Sequence, residues 1–492
     1  MVNDPSSNAK DEKELEQFGY LQQLQRSMGG FSSFAISFSL ISITTGIFGN
    51  FGHGIRQFGP AVIFSWIVAA FGQFLVALIV AELTTRFPIS GYGYQWSSRI
   101  INAHFGFFVG WCLLLQFLIG FPAICSTLGE YMCAYSGLQP EYGPWVTIGV
   151  VTVIAILQLV GIRVVSFIND AGVIAEIAGC AALTFGLFAL WFWAPSASLS
   201  ILVNNTNFAT GQPALFTAFA SSLLLGAWCI TGFEGAADMA EETHQPRTTI
   251  PKAVINSEVS SGIGGLLMLI AFMLSISDLS AIQSAANPLM AILESKLSAS
   301  IMRLVMIVVY ISIFACGVAS MAAATRLLFA LARDNMLPAS TYLRRIDSHT
   351  QAPRESIIVV WAVSCVVIPL LQQVKALSSV ATVAAYLGYA GIVISGLVVS
   401  IRPAPSAMEP SFNLGRWRWP VGVAALFWLT TAILALTLTD ETYVTARTAI
   451  VSVVCGIVIY FVLIRRRLQL GIAGPPTGPV VSEVANAHEH PG

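Results

Sequence analysis

Two pentapeptides repeat one pattern at distant points of the chain: Thr45-Gly46-Ile47-Phe48-Gly49 and Thr231-Gly232-Phe233-Glu234-Gly235. Both read T-G-x-x-G near the middle of a long apolar stretch. Glycine there permits backbone angles that other residues resist, and a neighbouring Thr hydroxyl can satisfy a freed main-chain group. A helix unwound at such a point exposes N–H groups at the start of one half and C=O groups at the end of the other. In hydrocarbon each unpaired group costs several kcal/mol, so a break persists only where it lines a polar cavity. The half-helix N-terminus attracts a carboxylate and the half-helix C-terminus an ammonium. Two facing breaks therefore suit a zwitterion or an amine. The expected cradle is Thr44, Thr45, Gly46 and Ile47 opposite Cys229, Ile230, Thr231 and Gly232. The plainer reading of the same residues is a pair of small-residue helix contacts.

Ionisable residues inside apolar stretches come next, because each is a functional candidate by default. Glu176 lies about ten residues into its stretch, roughly 15 Å deep at 1.5 Å per residue. Removing a carboxylate from water disfavours its charged form, so Glu176 is the expected proton-coupling residue; its alternatives are one structural hydrogen bond or a contact to a substrate amine. Glu234 follows the second break. Glu82, Asp238 and Glu258 read as partners of bases such as Arg86, Arg247 or Arg333, Glu130 as a solvated outer residue, and His53 as a hydrogen-bonded filler. The eight cysteines stand singly and suit apolar packing; no metal-ligand or phosphate-binding pattern appears, so no metal and no cofactor are expected.

These residues must be held by membrane helices. Of 492 residues, 56% are hydrophobic and 10% charged, against about 25% charged in an average soluble domain. A soluble enzyme, a nucleic-acid binder and a disulfide scaffold are excluded by that balance, and a net charge of -1 gives no basic field for nucleic acid. A spanning helix needs about 20 mostly apolar residues. Twelve stretches qualify: 31–57, 60–85, 105–135, 144–162, 167–194, 214–240, 253–276, 300–332, 355–373, 377–401, 419–439 and 445–464. With the N-terminus placed in the cytoplasm, Arg56, Lys296, Arg303, Lys375 and Arg447 lie outside and the rest of the 24 basic residues inside, as the positive-inside rule requires. The two T-G-x-x-G segments are five spans apart and so run in opposite directions, the mark of two inverted repeats with broken helices at matching places. The expected organisation is a tail over 1–30, a first repeat over 31–194, a second over 214–401, two further spans over 419–465 and a disordered tail over 468–492. Asn204-Asn205-Thr206 reads as a glycosylation acceptor on the outer side.

Ordered pieces along most of the chain carry a family resemblance. They are Phe18-Gly19-Tyr20 and Arg26, Ser37-Phe38-Ser39, Ala81-Glu82-Leu83, Phe87-Pro88, Ser90-Gly91-Tyr92-Gly93, Thr231-Gly232-Phe233-Glu234, Glu241-Glu242-Thr243, Ile250-Pro251, Thr325-Arg326, Ala332-Arg333-Asp334, Leu337-Pro338 and Phe412-Asn413-Leu414-Gly415-Arg416-Trp417. The chain resembles the amino acid–polyamine–organocation superfamily of secondary transporters, in the branch that carries amino acids, GABA, choline and polyamines. The resemblance implies an all-α membrane protein of twelve helices with a leucine-transporter-like 5+5 inverted repeat, helices 1 and 6 broken, and two peripheral helices. It also implies that Phe121, Trp228, Phe233 and Tyr386 surround the substrate, as aromatic gates or cation–π faces, and that Glu234 gates or braces the second break. In several sodium-independent members the position of Glu176 holds a lysine. Superfamily members often have a glycine-rich first break where this chain has Thr44-Thr45-Gly46, and the branch often has Asp where this chain has Glu234.

The expected function is secondary active import of an amino acid or small amine such as GABA by alternating access, coupled to protons, in a cell membrane with both termini cytoplasmic. An amine or choline exchanger and a sodium symporter using Ser312 and Ser320 remain alternatives; a channel, a transport-dead receptor and a membrane enzyme are the rival classes. The partners are the substrate, a proton and the lipid bilayer.

Overall fold

The structure is a computed structural model that describes residues 5–204, 212–347, 350–371, 373–402, 408–438, 443–476 and 478. Asn205 and Thr206 of the glycosylation acceptor lie outside the described residues, as does most of the expected C-terminal tail. Among the described residues the chain is helical, with no strand beyond one isolated bridge, Met28 to Thr243.

In chain order the helices are α1 Pro5–Glu16, α2 Gly30–Ile41, α3 Ile43–Phe58, α4 Val62–Arg86, α5 Tyr92–Ile100, α6 Ala103–Ser136, α7 Gly143–Val160, α8 Ile162–Trp193, α9 Gln212–Cys229 and α10 Gly235–Asp238. There follow α11 Pro246–Leu274, α12 Leu279–Ser284, α13 Pro288–Lys296, α14 Ala299–Arg333, α15 Ser340–Leu343, α16 Arg354–Leu371, α17 Val374–Ile401, α18 Arg418–Thr437, α19 Tyr443–Ile459 and α20 Arg465–Gln469. Among the described residues ten helical stretches are long and apolar enough to cross a membrane; the first, Gly30–Arg86, contains α2, α3 and α4. Large apolar side chains on the outside, among them Phe71, Phe167, Phe192, Phe216 and Phe427, are more than 60% exposed. Such a surface is unstable in water and suited to lipid.

Apolar tails are as attractive to lipid as to protein, so helices inside a bilayer associate by close approach rather than by the hydrophobic effect. Small residues permit it here. A Cβ on Gly388 or Gly391 of α17 would lie 2.5 Å or less from Leu113 or Val109 of α6, and one on Gly265 of α11 would lie 2.1 Å from Trp66 of α4. Helix ends are set locally. Asn102, Asp278, Asn287 and Ser298 accept hydrogen bonds from the first turns of α6, α12, α13 and α14, the usual N-cap arrangement. Gly161, at φ 119, separates α7 from α8.

At one end of the bundle the N-terminus, the α4–α5 loop, the segment after α10 and the end of α14 meet; we call this the N-terminal face. The C-terminal segment joins it. Gly474 N–H donates to Asp334 O at 2.9 Å, Asn335 Nδ2 to Ile472 O at 2.9 Å and Arg99 Nη1 to Pro476 O at 3.2 Å. Residues 472–476 are therefore a docked strap, in contrast to the disordered tail expected from 468 onward.

Candidate functional site

The second repeated segment is itself interrupted, whereas the first, Thr45–Gly49, is helical and the interruption falls just before it. α2 ends at Ile41 and α3 begins at Ile43; Ser42 between them has φ 34 and ψ 94, a backbone a non-glycine residue rarely adopts. The break thus precedes the expected Thr44–Gly46. Ser42 fixes it by capping α3, its Oγ accepting from Thr45 N–H at 3.1 Å. Gly46 stays helical because its missing side chain serves a different need: a Cβ there would lie 2.3 Å from Cys229 Cβ and Sγ and 2.7 Å from Cys229 Cα. The second break runs over Ile230–Glu234 between α9 and α10, where it was expected. Gly232 has φ 112 and packs on α2, with only 2.7 Å between its would-be Cβ and Leu40 Cβ.

Glu176 of α8 meets the first break directly. Its Oε1 accepts from Ser42 Oγ at 2.9 Å and from Thr44 N–H at 3.1 Å. Its Oε2 and the Ser312 hydroxyl of α14 each lack a hydrogen-bond partner among the described residues. Glu176 is completely buried. The N–H groups expected to hold a substrate carboxylate, those of Thr44 and Thr45, are thus occupied by the chain's own Glu176 and Ser42.

Between the two breaks lies a small cavity of about 30 Å³. Leu40 and Ile41 of α2, Thr45 and Gly46 of α3, Gln116, Phe117, Gly120 and Ile124 of α6, Trp228 of α9, Thr231 and Gly232 of the break, and Cys316 and Ser320 of α14 line it. That space is near the volume of one water, so the walls must part for any amino acid. The Trp228 ring closes over Gly120, its Cη2 3.3 Å from where a Cβ would stand.

Five of the sequence-expected substrate residues therefore share one wall: Thr45, Gly46, Trp228, Thr231 and Gly232. The other seven sit elsewhere, Ile230 among them, buried with its carbonyl accepting from Gln73 Nε2. Thr44 turns its Oγ1 to Cys180 Sγ at 3.2 Å. Ile47 and Phe121 are in the core. Cys229 presses on Gly46 and directs its Sγ at the carbonyls of Ile41, Ser42 and Ile43. Phe233 stacks on Tyr389, with ring centroids 5.3 Å apart, and Tyr386 donates to Ala227 O at 3.2 Å. On α6 the cavity meets Gln116, Phe117, Gly120 and Ile124, while Phe121 does not reach it.

Behind the cavity Glu234 is a hub. Gln116 Nε2 donates to its Oε1 at 3.0 Å and Tyr389 OH to its Oε2 at 2.6 Å. Tyr389 OH in turn accepts from Gly232 N–H at 3.3 Å, and Gln73 Nε2 donates to Ile230 O at 2.9 Å. The Glu234 pair turns the Gln116 amide so that its Oε1 is left without a partner at the cavity wall. Sequence reading missed Ser42, Gln116 and Cys316; Ser42 and Gln116 were legible as polar residues within apolar spans, but nothing in their spacing marked them.

The N-terminal face is closed by ion pairs. Arg326 is bidentate on Glu242, at 3.0 and 3.2 Å, with both side chains no more than 2% exposed. Arg333 is bidentate on Glu241 at 3.0 Å and lies 3.7 Å over the Tyr20 ring. Glu242 O accepts from Ser27 and Met28 N–H at 2.9 Å, tying the N-terminal segment to the end of the second broken helix. Glu82 pairs with Arg86, as expected, and with Arg418. Asp238 instead accepts from Gly91 N–H at 3.0 Å, and Glu258 pairs with nothing among the described residues. Asp334 accepts from Tyr20 OH, Tyr94 OH and Gln95 Nε2, each at 2.8 Å. Burial outweighs the Arg333 charge and these donors and holds the Asp334 carboxyl above its ordinary range; burial likewise pushes the Tyr20 hydroxyl up.

Comparison with known proteins matches this geometry to transporters. A family profile described as "Amino acid permease" matches residues 28–462. The chain is 26% identical to "Amino-acid permease BAT1" of Arabidopsis thaliana, over 88% of this chain and 89% of that protein. It is 24% identical to "Branched-chain amino acid permease BcaP" of Bacillus subtilis, over 91% and 95%. It is also 23% identical to "Thiamine transporter thi9" of Schizosaccharomyces pombe, over 87% and 78%.

Proposed function

Because the chain belongs to the amino acid permease family, and is therefore a multi-pass membrane transporter of amino acids and not an enzyme, we propose that it imports an amino acid or small amine such as GABA by proton-coupled alternating access. The architecture proposed for it is a twelve-span, 5+5 inverted repeat with both termini cytoplasmic, in the cell membrane. The N-terminal face is then the inner gate, and the closed ion pairs describe an inward path that is shut.

One observation carries the reading: Glu176 is hydrogen-bonded to the backbone and side chain of the broken segment itself. A proton added to its carboxyl changes which of these bonds can form, because a carboxylate only accepts whereas a carboxylic acid also donates. Proton binding therefore acts at the hinge of the first broken helix, and that helix also lines the cavity. The substrate ammonium is assigned to Gln116 Oε1 and the carbonyls of the break, and Trp228 to the lid. Thr45, Gly46, Thr231 and Gly232 form the remaining cradle, while Glu234 braces the second break through Gln116 and Tyr389.

The test is uptake into proteoliposomes with a panel of amino acids, GABA, choline, polyamines and thiamine. The expected result is saturable, trans-stimulated flux of one class, accelerated by an inward proton gradient at clamped membrane potential. Flux that follows sodium rather than protons would favour the second reading, to which the unpartnered Glu176 Oε2 and Ser312 hydroxyl lend themselves as cation ligands. Strict dependence on an internal amine would favour exchange.

A further inference from the structure

The mechanism above gives no role to the buried acid Glu258. Glu258 stands on α11, about 18 Å along the helix from Pro246 at 1.5 Å per residue, and is 1% exposed. Neither carboxyl oxygen has a hydrogen-bond partner among the described residues. This sets it apart from Glu176, Glu234 and Asp238, each of which accepts at least one hydrogen bond. It lines a crevice of about 270 Å³ between α4 and α11, walled by Trp66, Phe71, Phe74, Ile263 and Leu266. Phe71 and Ile263 are 64% and 57% exposed, so the crevice opens on the lipid side of the bundle.

No base faces it. Across α4 stand Trp66, Ala70, Phe71 and Phe74. Glu234 of the second break, Cys229 at the end of α9 and Tyr386 of α17 are groups with which its charge interacts. α2 carries no ionisable residue. On α3, Arg56 is held by the carbonyls of 283, 285 and 286 and His53 meets Ser221. On α8, Asp170 accepts from Ser32 and Glu176 is held at the first break. Asp238 of α10 is an acid. An ionised carboxylate here would be unpaired in an apolar surround beside another acid, an arrangement that neither a partner charge nor a donor offsets.

We propose that Glu258 is a second intramembrane proton-binding site, distinct from Glu176, which carries an exchangeable proton in the closed conformation described here. As an unionised acid it needs no counter-charge and lets α11 pack against α4 behind the second break. Ionisation demands water or a cation beside it, and hence a parting of α4 and α11. The proton on Glu258 thus biases the bundle toward the closed state.

The test is infrared spectroscopy of the full-length protein in lipid vesicles, reading the carbonyl stretch of unionised carboxyl groups in light and heavy water. The wild type is expected to show a band at neutral pH that is wholly lost in Glu258→Gln, kept in Glu176→Gln, and diminished as the buffer is made alkaline while the protein stays monodisperse. A wild-type spectrum unchanged by Glu258→Gln would overturn the proposal, as would a band that persists unaltered until the alkaline protein unfolds. Should Glu258→Gln not yield folded protein, Glu258→Asp shortens the side chain and must shift the band; an unshifted band overturns the assignment equally. Persistence of the band in Glu176→Gln keeps this outcome separate from that of the transport reading.

Discussion

Replacing Gly46 with Ala tests the contact that brings the two breaks together. The new methyl carbon would stand 2.3 Å from Cys229 Cβ and Sγ and 2.7 Å from Cys229 Cα, whereas carbon atoms at rest lie about 3.5–4.0 Å apart. The Sγ could rotate away, but Cα is main chain, so α3 and α9 must separate by more than an ångström. Overpacking of this kind costs about 1–3 kcal/mol, and if that falls on the closed state it weakens substrate capture by about 5-fold to about 150-fold at 1.4 kcal/mol per decade. The assay is initial uptake against substrate concentration, normalised to reconstituted protein. Cys229→Gly in the same chain removes Cβ and Sγ and restores part of the loss; Cys229→Ala, which keeps Cβ, restores less. A Gly46→Ala protein within twofold of wild type would refute the close approach of the breaks, and so would a double variant no better than the single.

Three further outcomes follow from other parts of the structure. Ser42→Ala removes the cap of α3 and one donor to Glu176; a lost N-cap costs about 0.5–2 kcal/mol, and the pH profile of uptake is expected to move, which a residue of purely structural role would not cause. Arg326→Met leaves Glu242 buried without its ion pair, a change that costs about 3–5 kcal/mol; thermal melting in detergent falls sharply, and Arg326→Met with Glu242→Leu recovers most of it. Folded Asp334 keeps its proton to higher pH than the unfolded chain does, so it lowers stability as pH rises from the ordinary carboxylate range through its own higher value, and has no effect below that range. Asp334→Asn should flatten that fall in melting temperature; an equally steep fall in the variant would contradict it.

The helical, membrane-spanning character of the chain was legible because the requirement for an apolar, fully hydrogen-bonded backbone acts on every residue of a membrane helix, whereas the described residues hold ten apolar spanning stretches beside the twelve expected. The second break was legible as well, since Gly232 at φ 112 is a demand on one residue type. The first break was displaced because glycine has two uses that look identical in a sequence. At Gly232 it supplies a positive φ; at Gly46 it supplies room for Cys229, and the unwinding falls to Ser42. Phe121, Phe233 and Tyr386 illustrate a second limit: aromatic residues near a site are near its packing too, and which face of α6 meets the cavity depends on a rotation that periodicity does not set. Glu258 illustrates a third. Its depth suggested loop bases as partners, yet it stands well inside α11, where none can reach it, and only the tertiary neighbourhood reveals that both of its oxygens are without donors.

In the proposed mechanism the carboxyl at the first break links proton movement to substrate movement. Uptake by Glu176→Gln in proteoliposomes, measured with and without an inward proton gradient at clamped potential, addresses it most directly. The variant is expected still to bind and exchange substrate across the membrane but no longer to gain from the gradient. Accumulation driven by the gradient as strongly as in the wild type would contradict it.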